Sequence, residues 1–370
     1  MSSLRQPCDN GDILTRFISP KVEYRLSAPV ADLFSFTDII DVRSPSEFAE
    51  DHIPGARNLP VLDDAERARV GTLYKQVSSF EAKKAGAALV SRNIARHLET
   101  WFADKPKSYR PLICCWRGGS RSDSLTHVLQ KTGFAAEQLE GGYKAYRRHV
   151  VAELDRLPTR FSCRVVCGPT GSGKSRLLHA LAREGAQVLD LEALAVHRGS
   201  LLGALPGQAQ PSQKSFESAI WFALSRFDPA RPVFVESESR KIGALRVPDA
   251  LITLMRASAC LQLEVPLAAR VRLLTEDYMH FLDDPETISH QLGRLVSLRG
   301  GETIAAWQAL ASARAWPELV TALLGEHYDP AYLKSLARNY AAASPDQIFR
   351  TDDLSIGGLQ RLARTILAAD

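Results

Sequence analysis

No stretch of this 370-residue chain approaches the roughly 18 consecutive apolar residues that a membrane span needs, and the membrane is set aside on that ground. A secretory leader is not expected either. Met1 to Ile18 mixes Arg5, Asp9, Asp12 and Arg16 with polar residues instead of placing a basic run before an apolar one, so a cytoplasmic protein is expected. Cysteine is sparse: six residues, four of them in the pairs Cys114/Cys115 and Cys163/Cys167, with no C-x-x-C spacing. That excludes a disulfide scaffold and a zinc ribbon, and leaves reduced thiols. Neither sign of charge dominates, since the formal net charge is +4, which neither demands nor forbids a nucleic-acid partner. Internal repeats and low-complexity tracts are absent. What remains is globular composition, 45% hydrophobic and 24% charged, at a length that suits two domains.

Strand and helix signals alternate along most of the chain. Thr37 to Val42 reads as a buried strand, and Ser44-Pro45-Ser46-Glu47 as a capped helix start. Pro111 to Cys115 is a second apolar strand, followed by a helix from Ser122 to Lys131 whose Leu125, Val128 and Leu129 share a face. His149 to Arg160 is charged and carries Pro158, which places a linker at 151–160 between a domain at 30–150 and another beginning at 161. Residues 1–29 form an N-terminal segment. In the second domain, Arg164 to Cys167, Gln187 to Leu191, Pro232 to Glu236 and Cys260 to Val265 are strands. Ser175 to Arg183 is a helix closed by Gly185. The fold class is therefore α/β with mostly parallel sheets, the second α/β domain covering 161–265. From 266 to 370 the pattern is helical, around Ala268 to Tyr278, Thr287 to Arg299, Thr303 to Ala315 and Tyr332 to Ala341.

Two loops carry chemistry. In the first, Cys115-Trp116-Arg117-Gly118-Gly119-Ser120-Arg121-Ser122 follows a strand. A thiol attacks at neutral pH only if its thiolate is stabilised, and a helix start at Ser122, a backbone freed by Gly118 and Gly119, and the cations Arg117 and Arg121 all serve that end. Cys114, on the opposite face of the strand, is expected in the core.

The second loop, Gly168-Pro169-Thr170-Gly171-Ser172-Gly173-Lys174-Ser175, fits G-x-x-x-x-G-K-S between a strand and a helix. Gly168, Gly171, Ser172 and Gly173 supply backbone N–H groups to a phosphate chain, Lys174 reaches its terminal charges, and Ser175 can hold Mg²⁺. Such a loop recognises a diphosphate and not the group attached to it. Asp190, Glu192, Glu236 and Glu238, with Arg240 close by, are the candidates for metal or acid/base work. His197-Arg198-Gly199-Ser200, Gln213 and Glu217 are polar stretches too local to assign. Between the loops, Arg147, Arg148, Arg156, Arg160 and Arg164 form a basic strip that could meet a nucleic acid.

Asp41-Val42-Arg43, Glu47-Phe48 and His52-Ile53-Pro54-Gly55-Ala56-Arg57-Asn58-Leu59-Pro60 resemble the rhodanese family, whose persulfide-forming cysteine stands where Cys115 does. Arg121 lies six residues after Cys115 instead of five. That spacing is shared with cysteine-dependent phosphatases of the same fold.

The whole set, C-W-R-G-G-S-R-S, G-P-T-G-S-G-K-S, L-D-L-E, H-R-G-S, Q-K-S-F-E and V-E-S-E-S-R-K-I-G in that order, resembles the tRNA 2-selenouridine synthase family over nearly the whole chain. The resemblance implies a rhodanese-like domain followed by a P-loop NTPase-like α/β domain with a helical C-terminal part. It implies a transferase that replaces the sulfur of wobble 2-thiouridine in tRNA with selenium from selenophosphate, through an S-geranylated uridine made from geranyl diphosphate. Cys115 would carry selenium as an S-selanylcysteine, with Arg117, Arg121 and the loop from Trp116 to Ser122 on the selenophosphate. An enzyme that makes selenophosphate is an expected partner, and a monomer is the expected state. A rhodanese-fold phosphatase or sulfurtransferase, and a P-loop kinase with a rhodanese module, stay open beside it.

Overall fold

A computed structural model of the protein describes residues 26–200, 203–205, 207–277, 285–340 and 345–369. The N-terminal reading over Met1 to Ile18 lies outside the described residues, as do Tyr278 and Ala341 at the ends of two expected helices. The chain divides into two compact units, Met1–Phe48 with Gly55–Ala145, and Ala49–Pro54 with Tyr146–Asp370.

The first unit holds a five-stranded parallel sheet. Its strands are β1 (Ser27–Ala28), β2 (Asp38–Asp41), β3 (Arg57–Asn58), β4 (Pro111–Cys114) and β5 (Glu137–Leu139), in the order β1-β5-β4-β2-β3. Strand β4 is buried along its length, which is why its sequence is uniformly apolar and shows no alternation. The connecting helices are α1 (Pro45–Glu50), α2 (Asp64–Gln76), α3 (Ser79–Thr100), α4 (Ser120–Thr132) and α5 (Gly142–Arg156). Leu125 and Leu129 of α4 are fully buried with Ile40, Val42 and Ile113, each worth about 1.5–3 kcal/mol of burial. Helices α2 and α3 are not placed by the hydrophobic pattern. Their caps nevertheless stand in the sequence: Asp63 and Glu66 form a reciprocal capping box, and the Ser78 hydroxyl accepts from the Glu81 N–H.

The stretch expected to be a linker is helical. Helix α5 runs to Arg156, and Leu157–Arg160 form a 3₁₀ turn in which Pro158 takes an opening position and is buried. Proline is tolerated there because the first N–H groups of a helix have no partner inside it.

The second unit is built on another all-parallel sheet. Its strands β6 (Cys163–Cys167), β7 (Gln187–Leu189), β8 (Val233–Glu236), β11 (Ala259–Glu264) and β12 (Pro345–Arg350) run in the order β12-β11-β6-β8-β7. The small antiparallel pair β9 (Lys241–Ile242) and β10 (Leu245–Arg246) stands apart from it. Around these lie α6 (Lys174–Arg183), α7 (Leu191–Ala195), α8 (Gln213–Ser225), α9 (Asp249–Ala257) and α10 (Leu267–Asp277). The helical part follows, as expected: α11 (Pro285–Gly293), α12 (Val296–Arg299), α13 (Gly301–Ser312), α14 (Trp316–Leu323) and α15 (Asp329–Asn339), with Trp307, Leu292 and Leu323 in a core of their own.

The C-terminal region is not helical throughout. Strand β12 pairs with β11, and the last helix, α16 (Ile356–Ala369), places Leu359, Ala363 and Ile366 in one core with Leu177 and Leu181 of α6. Pro345-Asp346-Gln347-Ile348-Phe349-Arg350 is an edge strand, whose polar and proline content hides it from a search for apolar runs.

Candidate active-site loops

Strand β4 delivers Cys115 to the carboxyl edge of the first sheet, where ligands of open parallel sheets bind. The Cys115 sulfur accepts from the Gly119 N–H at 3.3 Å and the Ser122 hydroxyl at 3.0 Å. Gly119 caps α4, so the donor is one of the N–H groups at the positive end of that helix, aimed at the sulfur. The Gln138 amide donates to the Ser122 oxygen at 2.6 Å, which turns the hydroxyl proton toward its two acceptors, the Cys115 sulfur and the Gly119 carbonyl at 3.1 Å. The outer side of the loop is fixed by α5: Tyr143 N–H donates to the Cys115 carbonyl at 2.8 Å, and Lys144 N–H to the Trp116 carbonyl at 3.0 Å. That approach requires Gly142, with φ +57°, because a Cβ there would run into the Cys115 carbonyl.

Trp116 stacks on Tyr143 at 5.3 Å between ring centres, and the Arg43 guanidinium lies 4.0 Å from the Tyr143 ring on a buried pairing with Asp41 at 2.6 Å. Burial opposes the Arg43 charge, but the Asp41 hydrogen bonds outweigh it and hold the guanidinium more firmly protonated than usual.

The two loop arginines differ. Arg121 is already paired with Glu47 at 2.8 Å, and Arg67 reaches the same carboxylate at 2.9 Å. Burial alone would raise the Glu47 pKa; the hydrogen bond and charge of Arg121 more than reverse it, so the carboxyl titrates below its usual range. Arg117 is exposed and has no ion pair among the described residues. Gly118 has a positive φ, Ser120 opens α4, and Cys114 is fully buried with its thiol pKa pushed well up, first by burial and then by Asp41.

In the second unit, β6 ends at Cys167 and α6 begins at Lys174, with Gly168, Gly171, Ser172 and Gly173 in the turn between. The Lys174 ammonium donates to the Gly168 carbonyl at 2.9 Å, so it crosses its own loop. Arg270 braces the outside: its Nε donates to the Thr170 carbonyl at 2.9 Å while Asp329 holds the other end at 2.6 and 3.0 Å. Ser175 donates to Glu192 at 3.1 Å and lies 3.4 Å from Glu236.

Glu192, Glu236 and Glu238 each offer a carboxylate oxygen, all within 4.8 Å of one another. Glu236 is 1% exposed, and its Oε1 has no hydrogen-bond partner among the described residues. Burial pushes all three carboxyls upward, helped at Glu192 by Asp190 and at Glu236 and Glu238 by Glu192, so that Glu236 stands well above its usual value and Glu238 at about 8. Hard oxygen donors, an orphaned buried oxygen and an adjacent serine hydroxyl are a donor set that fits Mg²⁺. A cavity of about 450 Å³ opens over them, lined also by Lys174, Arg198 and Tyr332.

Asp190 and Arg240 stand differently from the three glutamates. Asp190 is near enough to add to their repulsion, but its oxygens are taken by the Ala193 N–H at 2.8 Å and the His179 ring at 2.9 Å. Arg240 leads into β9, is exposed, and faces Asp249 at 3.6 Å. The His197-Arg198-Gly199-Ser200 stretch, which sequence alone leaves unassigned, lies on the carboxylates. A Cβ on Gly199 (φ +67°) would sit 2.7 Å from a Glu192 oxygen and 3.1 Å from both Glu238 oxygens. Gln138, Gly142, Arg270 and Asp329 are likewise missed by sequence motifs, since each acts on a loop far from it in the chain.

Residues 161–351 match the family model described as tRNA 2-selenouridine synthase AAA domain, and residues 26–149 match that of the rhodanese-like domain. The chain belongs to the tRNA 2-selenouridine synthase family. Relatives bearing that family name include one from Alcanivorax borkumensis, 33% identical across 82% of this chain and 90% of its own length. Another, from Nitrosomonas europaea, is 40% identical across 66% of this chain, and the matched stretch spans 64% of that relative. Among solved structures, the chain is similar to the N-terminal domain of a protein from Clostridium difficile 630 described as ATP/GTP binding. That likeness is 36% in identity, with a TM-score of 0.31, over 34% of this chain and 98% of that one. Among the described residues no helix is long and apolar enough to cross a membrane.

Proposed function

We propose that the protein converts wobble 2-thiouridine of tRNA into 2-selenouridine in two half-reactions, geranylation at the phosphate loop and selenium delivery at Cys115. The observation that carries this reading is one chain of the family holding both a cradled thiol and a lysine loop beside three clustered carboxylates.

In the first half-reaction the thiocarbonyl sulfur attacks the first carbon of geranyl diphosphate. The carbon–oxygen bond breaks, diphosphate leaves with the electron pair, and the base loses its N3 proton. Lys174 and the N–H groups of the loop stabilise the charge that develops on the leaving diphosphate. Ser175 and Glu236, helped by Glu192 and Glu238, would hold Mg²⁺, which when bound neutralises diphosphate charge.

In the second half-reaction the selenium of selenophosphate, held at the Cys115 loop, adds to carbon 2 of the base, and geranylthiolate leaves with the bonding electrons and takes up a proton. Water then cleaves the selenium–phosphorus bond, releasing phosphate and returning a proton to N3 of the selenouridine. Alkylation makes this sulfur a better leaving group than the thiocarbonyl. Arg117 is the loop cation open to selenophosphate, while Arg121 is committed to Glu47. An enzyme that makes selenophosphate is the expected supplier.

The test is incubation of the purified protein with thiolated tRNA, geranyl diphosphate, Mg²⁺ and selenophosphate, followed by mass spectrometry of the digested nucleosides. 2-Selenouridine is expected, and S-geranyl-2-thiouridine when selenophosphate is omitted. Neither product, with hydrolysis of a small aryl phosphate through Cys115 instead, would overturn the reading in favour of a phosphatase.

A further inference from the structure

Helices α2 and α3 and the first turn of α4 line a cleft of about 1080 Å³ within the first unit. Its lining contains Arg67, Lys75, Lys83 and Arg121 and, among the described residues, no aspartate or glutamate. Arg67 and Arg121 are discharged on Glu47, at 2.9 and 2.8 Å. Lys75 and Lys83 are exposed and have no ion pair among the described residues. Between them the wall is apolar, from Leu62, Val70 and Val90, and Tyr74 stands 62% exposed beside it.

The cleft ends at the chemistry, because Ser120 and Arg121 belong both to its lining and to the cysteine loop. Its size exceeds the roughly 300–1,000 Å³ of ordinary small-molecule sites. Unopposed cations over an apolar, aromatic wall are what a single-stranded nucleic acid meets on its binding proteins: phosphates on lysines, base faces on rings and aliphatic surface. The basic strip after the first unit is less available, since Arg147 is paired with Glu217 and Arg156 with Glu153.

We infer that this cleft is a seat for unpaired RNA, with Lys75 and Lys83 on the phosphates and Tyr74 against a base, leading the reacting nucleotide to Cys115. The inference rests on the reading above that the substrate is tRNA.

The experiment compares the full-length wild type with Lys75→Glu/Lys83→Glu, using thiolated tRNA and fluorescence anisotropy over a range of salt. Tenfold or more loss of affinity is expected, with a salt slope shallower by about two phosphate contacts, and Lys75→Arg/Lys83→Arg retaining affinity. Tyr74→Ala is expected to weaken binding a few-fold at unchanged slope. An unchanged rate of Cys115 alkylation by iodoacetamide shows that the charge-reversed protein keeps its loop; a lost rate transfers the decision to Lys75→Gln/Lys83→Gln, for which a smaller loss of the same sign is expected. Unchanged affinity and slope in a protein whose wild type binds and modifies tRNA would overturn the cleft alone. So would a defect confined to the use of geranyl diphosphate, which would make the cleft a prenyl site. A wild type that neither binds nor modifies tRNA would instead overturn the reading beneath it.

Discussion

The cysteine loop and the phosphate loop are both strand-to-helix turns at the carboxyl edge of a parallel sheet, yet they treat charge in opposite ways. Around Cys115 the charges other than Arg117 are matched within the fold: Arg121 and Arg67 on Glu47, Arg43 on Asp41, and the sulfur on an N–H and a hydroxyl. Around Lys174 they are not, since three carboxylates crowd one lysine and a serine, and a buried oxygen of Glu236 has no partner among the described residues. A loop of the first kind is ready for its reagent as folded. One of the second kind reaches its working charge only with a ligand bound.

The largest expected effect separates the loops outright. Cys115→Ala should lose selenation by about a thousandfold or more while still geranylating, and Lys174→Ala should show the reverse. Equal loss of both products in both variants would erase the division of labour.

Next in size is the effect of pH on the ligand-free protein. The Glu238 carboxyl rises from 4.5 to about 8 on folding, chiefly through burial and then Glu192, so between those values the native state binds more protons than the unfolded one. Stability therefore falls as pH rises through that window, by an amount on the order of 1–2 kcal/mol once solvent relaxation is allowed for. Mg²⁺ should raise the melting temperature more at the alkaline end than at the acid end, and Glu238→Gln should flatten the profile across that window. A flat profile in the wild type, with or without Mg²⁺, would mean that the carboxylates are compensated by something other than a cation.

The smallest effect concerns how the thiol is held. Ser122→Ala removes one hydrogen bond to the sulfur and should slow alkylation of Cys115 by iodoacetamide roughly three- to tenfold at neutral pH. Gln138→Ala should give a weaker defect of the same sign, because it only orients that hydroxyl. A rate unaffected by either change would leave the helix N-terminus as the sole stabiliser.

Both loops were legible in the sequence because every residue that shapes the turn lies within eight positions of its neighbour, between apolar strands that announce themselves. Their supports were not. Glu47 stands 74 residues from Arg121, and Arg270 stands 100 residues from Thr170, so neither pairing leaves a local signature. Glu47 reads from sequence as a helix-capping residue, and it is one, accepting from the Ser44 N–H at 3.2 Å; that it also binds Arg121 is a property of the fold. Helices α2 and α3 escape a search for apolar stripes because α2 has no buried residue at all, although Asp63 and Glu66 mark its start. Asp190 shows the converse difficulty, since an acid at a strand end reads alike whether it meets a metal or caps the next helix, and here its oxygen accepts from the Ala193 N–H.

Strand β12 and helix α16 also bear on how the protein is made. The first unit gathers all its strands by Leu139, so its sheet can close while most of the chain is still unsynthesised. The phosphate-loop sheet cannot, because β11 lacks one neighbour until Pro345–Arg350 has emerged, and α6 lacks part of its cover until Ile356–Ala369 has. Contacts this distant in sequence form slowly and leave apolar surface waiting. A ribosome that stalls within the helical stretch would thus release a chain with a formed cysteine loop and an unfinished phosphate loop, a substrate for chaperones and proteases.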